Sequence, residues 1–332
     1  MIYHTVPRRA SVSELAYNVR SALVFPRMSL ALLWIPVTLV AAGAQTARNA
    51  MQHHLTARLG TLGATQVRFL YGLPFAVLFL AALCLLEGRL PPGFNPGFWI
   101  YTIWGALTQI AATALMLATM RLRQFGLAIA YTKTEPMQVA VFGWLLLGDV
   151  LSWQASGAVA IATLGVVLMS RTGMPAGSRA GFSWRPALLG LASGAGFALS
   201  SIGFRGAILS LESGSALLRA STTLTCGLLL QSLLLLIWLG FFQRDALIGS
   251  LRAWRSSLFA GFMGALASQC WFFGFALTST ANVRTLGLIE VVFAQIASRR
   301  VFAQTLSRTE RLGLILVTLG VALLLLDVLG GP

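Results

Sequence analysis

Charge is what this sequence has least of: 10% of its 332 residues are Asp, Glu, Lys or Arg, where a soluble globular domain carries about a quarter. With 57% of residues hydrophobic, the soluble classes drop out and the chain belongs in a lipid bilayer. Only nine side chains are acidic, so any that falls inside an apolar run needs a reason to be there. Lysine is nearly absent, Lys133 being the one example among 24 basic residues. The arginines are spread along the tail, short loops and helix ends, a pattern of membrane anchoring rather than of a nucleic-acid footprint. Cys84, Cys226 and Cys270 stand singly in apolar runs, so neither a disulfide framework nor a zinc site is indicated. GxSxG, HExxH, DDxxD-type and Walker signatures are missing as well, which leaves no catalytic set, no cofactor and no ATP-driven step to argue from. Residues 1–28 hold Arg8, Arg9, Arg20 and Arg27 but no apolar core with a cleavage site, so no signal peptide is expected. Val12, Leu15, Val19 and Leu23 recur at helical spacing there, which fits either a short surface helix or a tail without fixed structure.

What the sequence does have is apolar runs of the length needed to cross a hydrocarbon core about 30 Å thick. They fall at 31–52, 64–86, 98–119, 124–147, 153–170, 187–208, 215–240, 256–277, 281–302 and 308–327, five in each half. The halves also echo each other. At an offset of 155 residues Glu135 falls on Glu290, Leu151-Ser152 on Leu306-Ser307, and Thr163-Leu164-Gly165-Val166 on Thr318-Leu319-Gly320-Val321. Gly105 to Gln109 likewise resembles Gly264 to Gln269. Five crossings per copy put the second copy into the membrane upside down, so the expected fold is all-α, with ten transmembrane helices in two inverted five-helix repeats. The expected divisions are a tail at 1–28, one repeat at 29–171, a Gly/Pro/Ser-rich loop at 172–185 and a second repeat at 186–328. Small residues crowd the sixth run, where Gly190 and Gly194 suit tight helix packing.

Glu135 and Glu290 sit about 14–17 Å from the starts of their runs, near mid-bilayer. An ionised carboxylate there costs at least a few kcal/mol unless it is paired or wetted, and such a group suits proton coupling. On a continuous helix, Tyr131, Thr132 and Gln138 share the face of Glu135 and would line a wet cavity, while Lys133 points nearly the other way. Pro136 removes one backbone donor and loosens the helix at that point. The neighbours of Glu290 on its own helix are Leu286, Gly287, Phe293 and Ala294, apolar or small, which makes Glu290 the first candidate for proton coupling. Arg284 lies off that face. Gln109 and Gln269 are further candidate cavity groups. The structural alternative pairs the two glutamates with Arg48 and Arg205; Arg68 and Arg219, near run starts, are expected at the interfaces. The aromatics Trp271, Phe272, Phe273 and Phe275, with Trp104 and Trp144, could stack on a ligand or face lipid.

Thr134-Glu135-Pro136 through Leu147-Gly148-Asp149-Val150-Leu151-Ser152, with Gly157 and Gly165-Val166, and their partners from Glu290-Val291-Val292-Phe293 through Leu306-Ser307 to Gly313 and Gly320-Val321, resemble EamA-type repeats of the drug/metabolite transporter superfamily. The resemblance implies alternating access, both termini in the cytoplasm and export of amino acids, metabolites or toxic organic compounds driven by protons. Asp149 stands where the family has glutamate, Gln304 occupies the matching place in the second copy, and Pro136 has no counterpart after Glu290. Loop arginines, more numerous on the side opposite the termini, argue for the reverse orientation, so orientation and direction stay open.

The leading expectation is a proton-coupled secondary transporter, an exporter of a small organic solute, in a multi-pass membrane of the bacterial inner-membrane type. Its partners would be a small-molecule substrate, protons and the lipid bilayer, with no nucleic acid, no metal and a monomeric or homodimeric state. The alternatives are an organic-anion exchanger built on Arg48, Arg205 and Lys133, or a membrane scaffold whose buried charges are only structural. A membrane enzyme ranks last.

Overall fold

The computed structural model describes residues 32–122, 132–148, 150–170, 184–290, 293 and 308–330. Eleven helices order them: α1 Trp34–Leu70, α2 Leu73–Glu87, α3 Pro96–Leu122, α4 Glu135–Leu147, α5 Trp153–Ser170, α6 Trp184–Ser210, α7 Ala216–Phe242, α8 Arg244–Arg252, α9 Trp254–Leu277, α10 Thr280–Leu286 and α11 Arg308–Gly330. The chain is an all-α membrane protein of two five-helix repeats. By length and hydropathy, five described stretches suffice to cross a bilayer, Leu59–Glu87, Pro96–Thr119, Leu188–Ser210, Ala216–Phe242 and Ser257–Leu277, and Glu135–Leu147 is a shorter apolar helix. The tail, most of the inter-repeat loop, residues 124–131 of the fourth run and the second half of the ninth run apart from Phe293 lie outside the described residues.

Helix boundaries follow local chemistry. Ser215 accepts a hydrogen bond from the Leu218 N–H at 3.0 Å and caps α7, Asn95 does the same for Phe98 ahead of α3, and Ser152 for Ala155 at the start of α5. Pro74 and Pro136 occupy the first turns of α2 and α4, where the missing N–H costs nothing. The loop expected between the first two runs is helical instead. α1 continues to Leu70, kinked at Gly60 (φ 68°, ψ −178°), a backbone region reached essentially by glycine alone. The helix then breaks at Tyr71-Gly72 before α2. α8 is an additional short helix with Asp245 in its first turn and Arg252 in its last, a dipole-compatible placement. It lies against α1 beyond the kink, and the Tyr71 hydroxyl donates to the Ser250 and Leu251 carbonyls at 3.1 Å.

Packing repeats as the sequence does. The first helix of each repeat lies on the third helix of the other, α1 on α9 and α6 on α3, while the second helices, α2 and α7, meet each other. The fifth helices, α5 and α11, cross closely. A Cβ at Gly165 would come within 2.6 Å of the Gly313 carbonyl and 2.7 Å of the Val317 nitrogen. One at Gly320 would meet the Ala162 nitrogen at 2.6 Å and the Ala158 carbonyl at 2.7 Å. Subtracting 155 from 313, 317 and 320 gives 158, 162 and 165, so the crossing maps onto itself when the repeats are exchanged. Without a hydrophobic force between helices in lipid, such backbone proximity is a main source of helix association. The glycines of α6 serve the same purpose, Gly196 against Ala112, Gly203 against Gly105 and Gly206 against the Tyr101 ring.

Candidate functional site

The break ahead of α4 sets the geometry. Lys133 and Thr134 form a turn and the helix begins at Glu135, so helical periodicity does not carry from Thr132 to Gln138. The second repeat breaks at the matching place. Gly287 and Leu288 turn, bridged by i→i+3 hydrogen bonds from Leu288 N–H to Thr285 O (3.1 Å) and from Glu290 N–H to Gly287 O (3.0 Å). The Trp271 ring occupies the space that a Cβ on Gly287 would need. Each carboxylate therefore stands just beyond a helix break, at equivalent positions of the two repeats.

Both carboxylates reach across the repeat boundary. Glu290 Oε2 accepts from Lys133 Nζ and from Gln45 Nε2, each at 2.8 Å, and Glu290 Oε1 accepts from Asn49 Nδ2 at 3.0 Å. Glu135 Oε1 pairs with Arg284 Nε at 3.0 Å. Arg284 is also fixed without Glu135: its Nη2 donates to Ser201 Oγ at 2.7 Å, and its guanidinium lies 4.7 Å from the Trp271 ring centre and 5.3 Å from that of Phe275. Trp271 Nε1 donates to Gln45 Oε1 at 3.0 Å and so joins the two pairs into one network.

Between them lies a cavity with about 50 Å³ open to the centres of water molecules, room for a few waters. Its charged lining is Arg48, Arg68, Lys133 and Arg284 against Glu135 and Glu290, and its apolar wall includes Met116, Phe197, Phe204 and Phe272. Arg48 is 4% exposed and donates through Nη2 to Asn49 at 2.9 Å. Its Nε and Nη1 are buried with no hydrogen-bond partner among the described residues. Arg68, 8% exposed, donates to Thr113 Oγ1 at 3.2 Å and stacks near the Phe69 ring. Among the described residues no three His, Cys, Asp or Glu side chains converge as metal ligands would.

A profile of the EamA-like transporter family matches this chain twice, over residues 30–171 and 184–326. The chain belongs to the EamA-like transporter family. No curated protein sequence matches it. A solved structure described only as a crystal structure of a protein shares the fold, with a TM-score of 0.61 at 14% identity, over 87% of this chain and 95% of that one. In this EamA-like transporter the family match shows a multi-pass membrane protein that moves small solutes.

The structure gathers some sequence-predicted residues and disperses others. Glu135, Glu290, Arg48, Thr132, Gln109 and Lys133 line the cavity. Lys133 was expected on the far side of a continuous helix; the turn at Lys133-Thr134 swings it in. Arg205 is elsewhere. Its Nη1 caps the carbonyls of Phe275 and Thr278 at the end of α9, so the expected glutamate pairs with Arg48 and Arg205 give way to pairs with Arg284 and Lys133. Gln269 donates to Ser221 at 2.7 Å, and Gln138 sits at the contact of α4 with Gly194 on α6. Tyr131 lies outside the described residues. The apolar surroundings expected for Glu290 are not what it meets across the repeat boundary, where α1 supplies Gln45 and Asn49; Ala294 lies outside the described residues. Arg68, expected at an interface, is buried because the helix continues beyond Gly60 and carries it inward. Of the aromatics, Trp271, Phe272 and Phe275 face the cavity, and Trp144 is exposed on the outer surface.

Proposed function

We propose that this EamA-like protein is a proton-coupled secondary transporter that binds a small organic solute in the central cavity and alternates its access between the two sides. One observation carries the reading: repeat-equivalent carboxylates, Glu135 and Glu290, each form an ion pair with a cation of the opposite repeat at the same cavity. Inverted-repeat transporters place their sites at such broken helices near the midplane. The buried cross-repeat bonds must be remade when the repeats shift against each other, so a proton or solute that competes for a carboxylate biases the shift. Among the described residues Glu135 forms one ion pair, with an Arg284 that stays anchored by Ser201 and two rings, so neutralising it releases the repeats with least rearrangement. Glu290, held by Lys133, Gln45 and Asn49, is the more firmly fixed. Export and residence in a bacterial inner membrane rest on the family likeness.

The test is solute-triggered proton movement in liposomes containing purified protein and an internal pH dye. Wild type should move protons with its solute. Glu135→Gln should abolish proton movement while solute counterflow persists. Proton movement that survives in both Glu135→Gln and Glu290→Gln refutes the coupling role.

A further inference from the structure

The cavity's charges do not balance within the protein. Lys133 is paired with Glu290 and Arg284 with Glu135, which leaves Arg48 and Arg68 as buried guanidiniums with no salt bridge among the described residues, Arg48 sharing the field of Glu290 with Lys133 and Arg68 having no carboxylate of its own. The three arginines repel one another across the cavity. A buried, uncompensated cation costs several kcal/mol, and a protein retains one where something else supplies the counter-charge. Among the described residues two nitrogens of Arg48 have no hydrogen-bond partner, although the rest of its side chain is held by Asn49 and by contact with α9 at Gly264. A guanidinium offers a planar fork matched to two oxygens of a carboxylate or phosphate. No chloride-sized or smaller point charge needs two such forks, nor the apolar wall of Phe197, Phe204, Phe272 and Met116 beside them.

We infer that the cargo is a small organic anion, its carboxylate or phosphate bound by Arg48 and Arg68 and its apolar part resting on Phe204 and Phe272. Arg205, which the sequence offered as an anion ligand, is committed to carbonyls of α9. The glutamates set the other side of the specificity. Among the described residues both are ion-paired, with Lys133 and Arg284, so an organic cation would have to displace one of those pairs and meets four positive charges as it does so. The inference rests on the transport reading only in taking the cavity's occupant as cargo.

Purified full-length protein in detergent would be heated with succinate, benzoate or glycerol phosphate, and in parallel with choline, tetraethylammonium or glucose. The anions should raise the melting midpoint and the cations and sugar should not. The benzoate and glycerol phosphate arms separate a carboxylate site from a phosphate site. Arg68→Gln and Arg48→Gln should each weaken the anion response about tenfold to a hundredfold, the range for loss of a charge-assisted hydrogen bond. Arg48→Lys keeps the charge without the fork and should fall between. The inference is overturned by stabilisation from cations or neutral solutes alone, by no anion response at millimolar concentration, or by an anion response that both Arg→Gln variants leave intact. Counterflow in proteoliposomes separates this from the transport reading. Movement of a neutral or cationic solute overturns the anion site and leaves transport standing, whereas an anion that binds and is never moved does the reverse.

Discussion

Replacing Lys133 with Gln tests the pairing that holds the site together. Lys133 Nζ lies 2.8 Å from Glu290 Oε2, with side chains 15% and 9% exposed, and removing one partner of a buried pair costs about 3–5 kcal/mol. Glu290 would retain Gln45 and Asn49 as donors, which puts Lys133→Gln at the lower end. We expect a loss of about 3 kcal/mol, or about 4 °C in apparent Tm for a chain of this size. Glu290→Gln should also destabilise, because it strips the ammonium of its anion. The double variant leaves neither charge stranded, so its loss should fall short of the sum of the single losses by about 1.5 kcal/mol or more. Thermal unfolding of the four proteins in one detergent measures this. Additive losses would refute the pairing. Glu135→Gln gives a comparison within the same cavity: Arg284 keeps Ser201, Trp271 and Phe275, so this variant should cost less than Glu290→Gln.

Two further expectations concern backbone proximity. Gly165→Ala and Gly320→Ala force the α5–α11 crossing apart and should each cost about 1–3 kcal/mol, whereas Gly157→Ala on the same helix meets nothing within 4 Å and should be neutral or slightly stabilising; thermal stability in detergent separates them. Gly287→Ala pushes a methyl group into the Trp271 ring, so it should disturb the Trp271–Gln45 hydrogen bond, seen as altered tryptophan fluorescence with loss of transport and little loss of protein yield.

Repeat architecture was legible because duplication leaves a fixed offset, and apolar length reports a span directly. The carboxylates were legible for a related reason: Glu135 and Glu290 stand out against apolar helices and coincide at that offset. Their partners were not. Arg284 meets Glu135 and Lys133 meets Glu290 across the repeat boundary, and no spacing along one chain encodes which helices of opposite repeats become neighbours. Lys133 was misplaced because a helical wheel assumes the helix continues, while Pro136 starts a new one; Thr-Glu-Pro was the available clue. Arg68 was misplaced because the helix before it was taken for a loop. The polar positions Gln45, Arg48 and Asn49 did interrupt the first apolar run, and three to four residues between Gln45 and both Arg48 and Asn49 would have marked a single wet face.

The self-matching crossing of α5 and α11 has a thermodynamic corollary. In the proposed alternation, the approach of Gly165 to Gly313 and Val317 and that of Gly320 to Ala158 and Ala162 exchange geometry, so a crossing of the same shape serves both end states and largely drops out of the equilibrium between them. It can lend strength but no directionality. The cations behave otherwise: at the shared offset Lys133 corresponds to Leu288 and Arg284 to Ile129, so trading roles does not return the same electrostatics. Whatever preference the resting protein has for facing one side is written in those unrepeated positions.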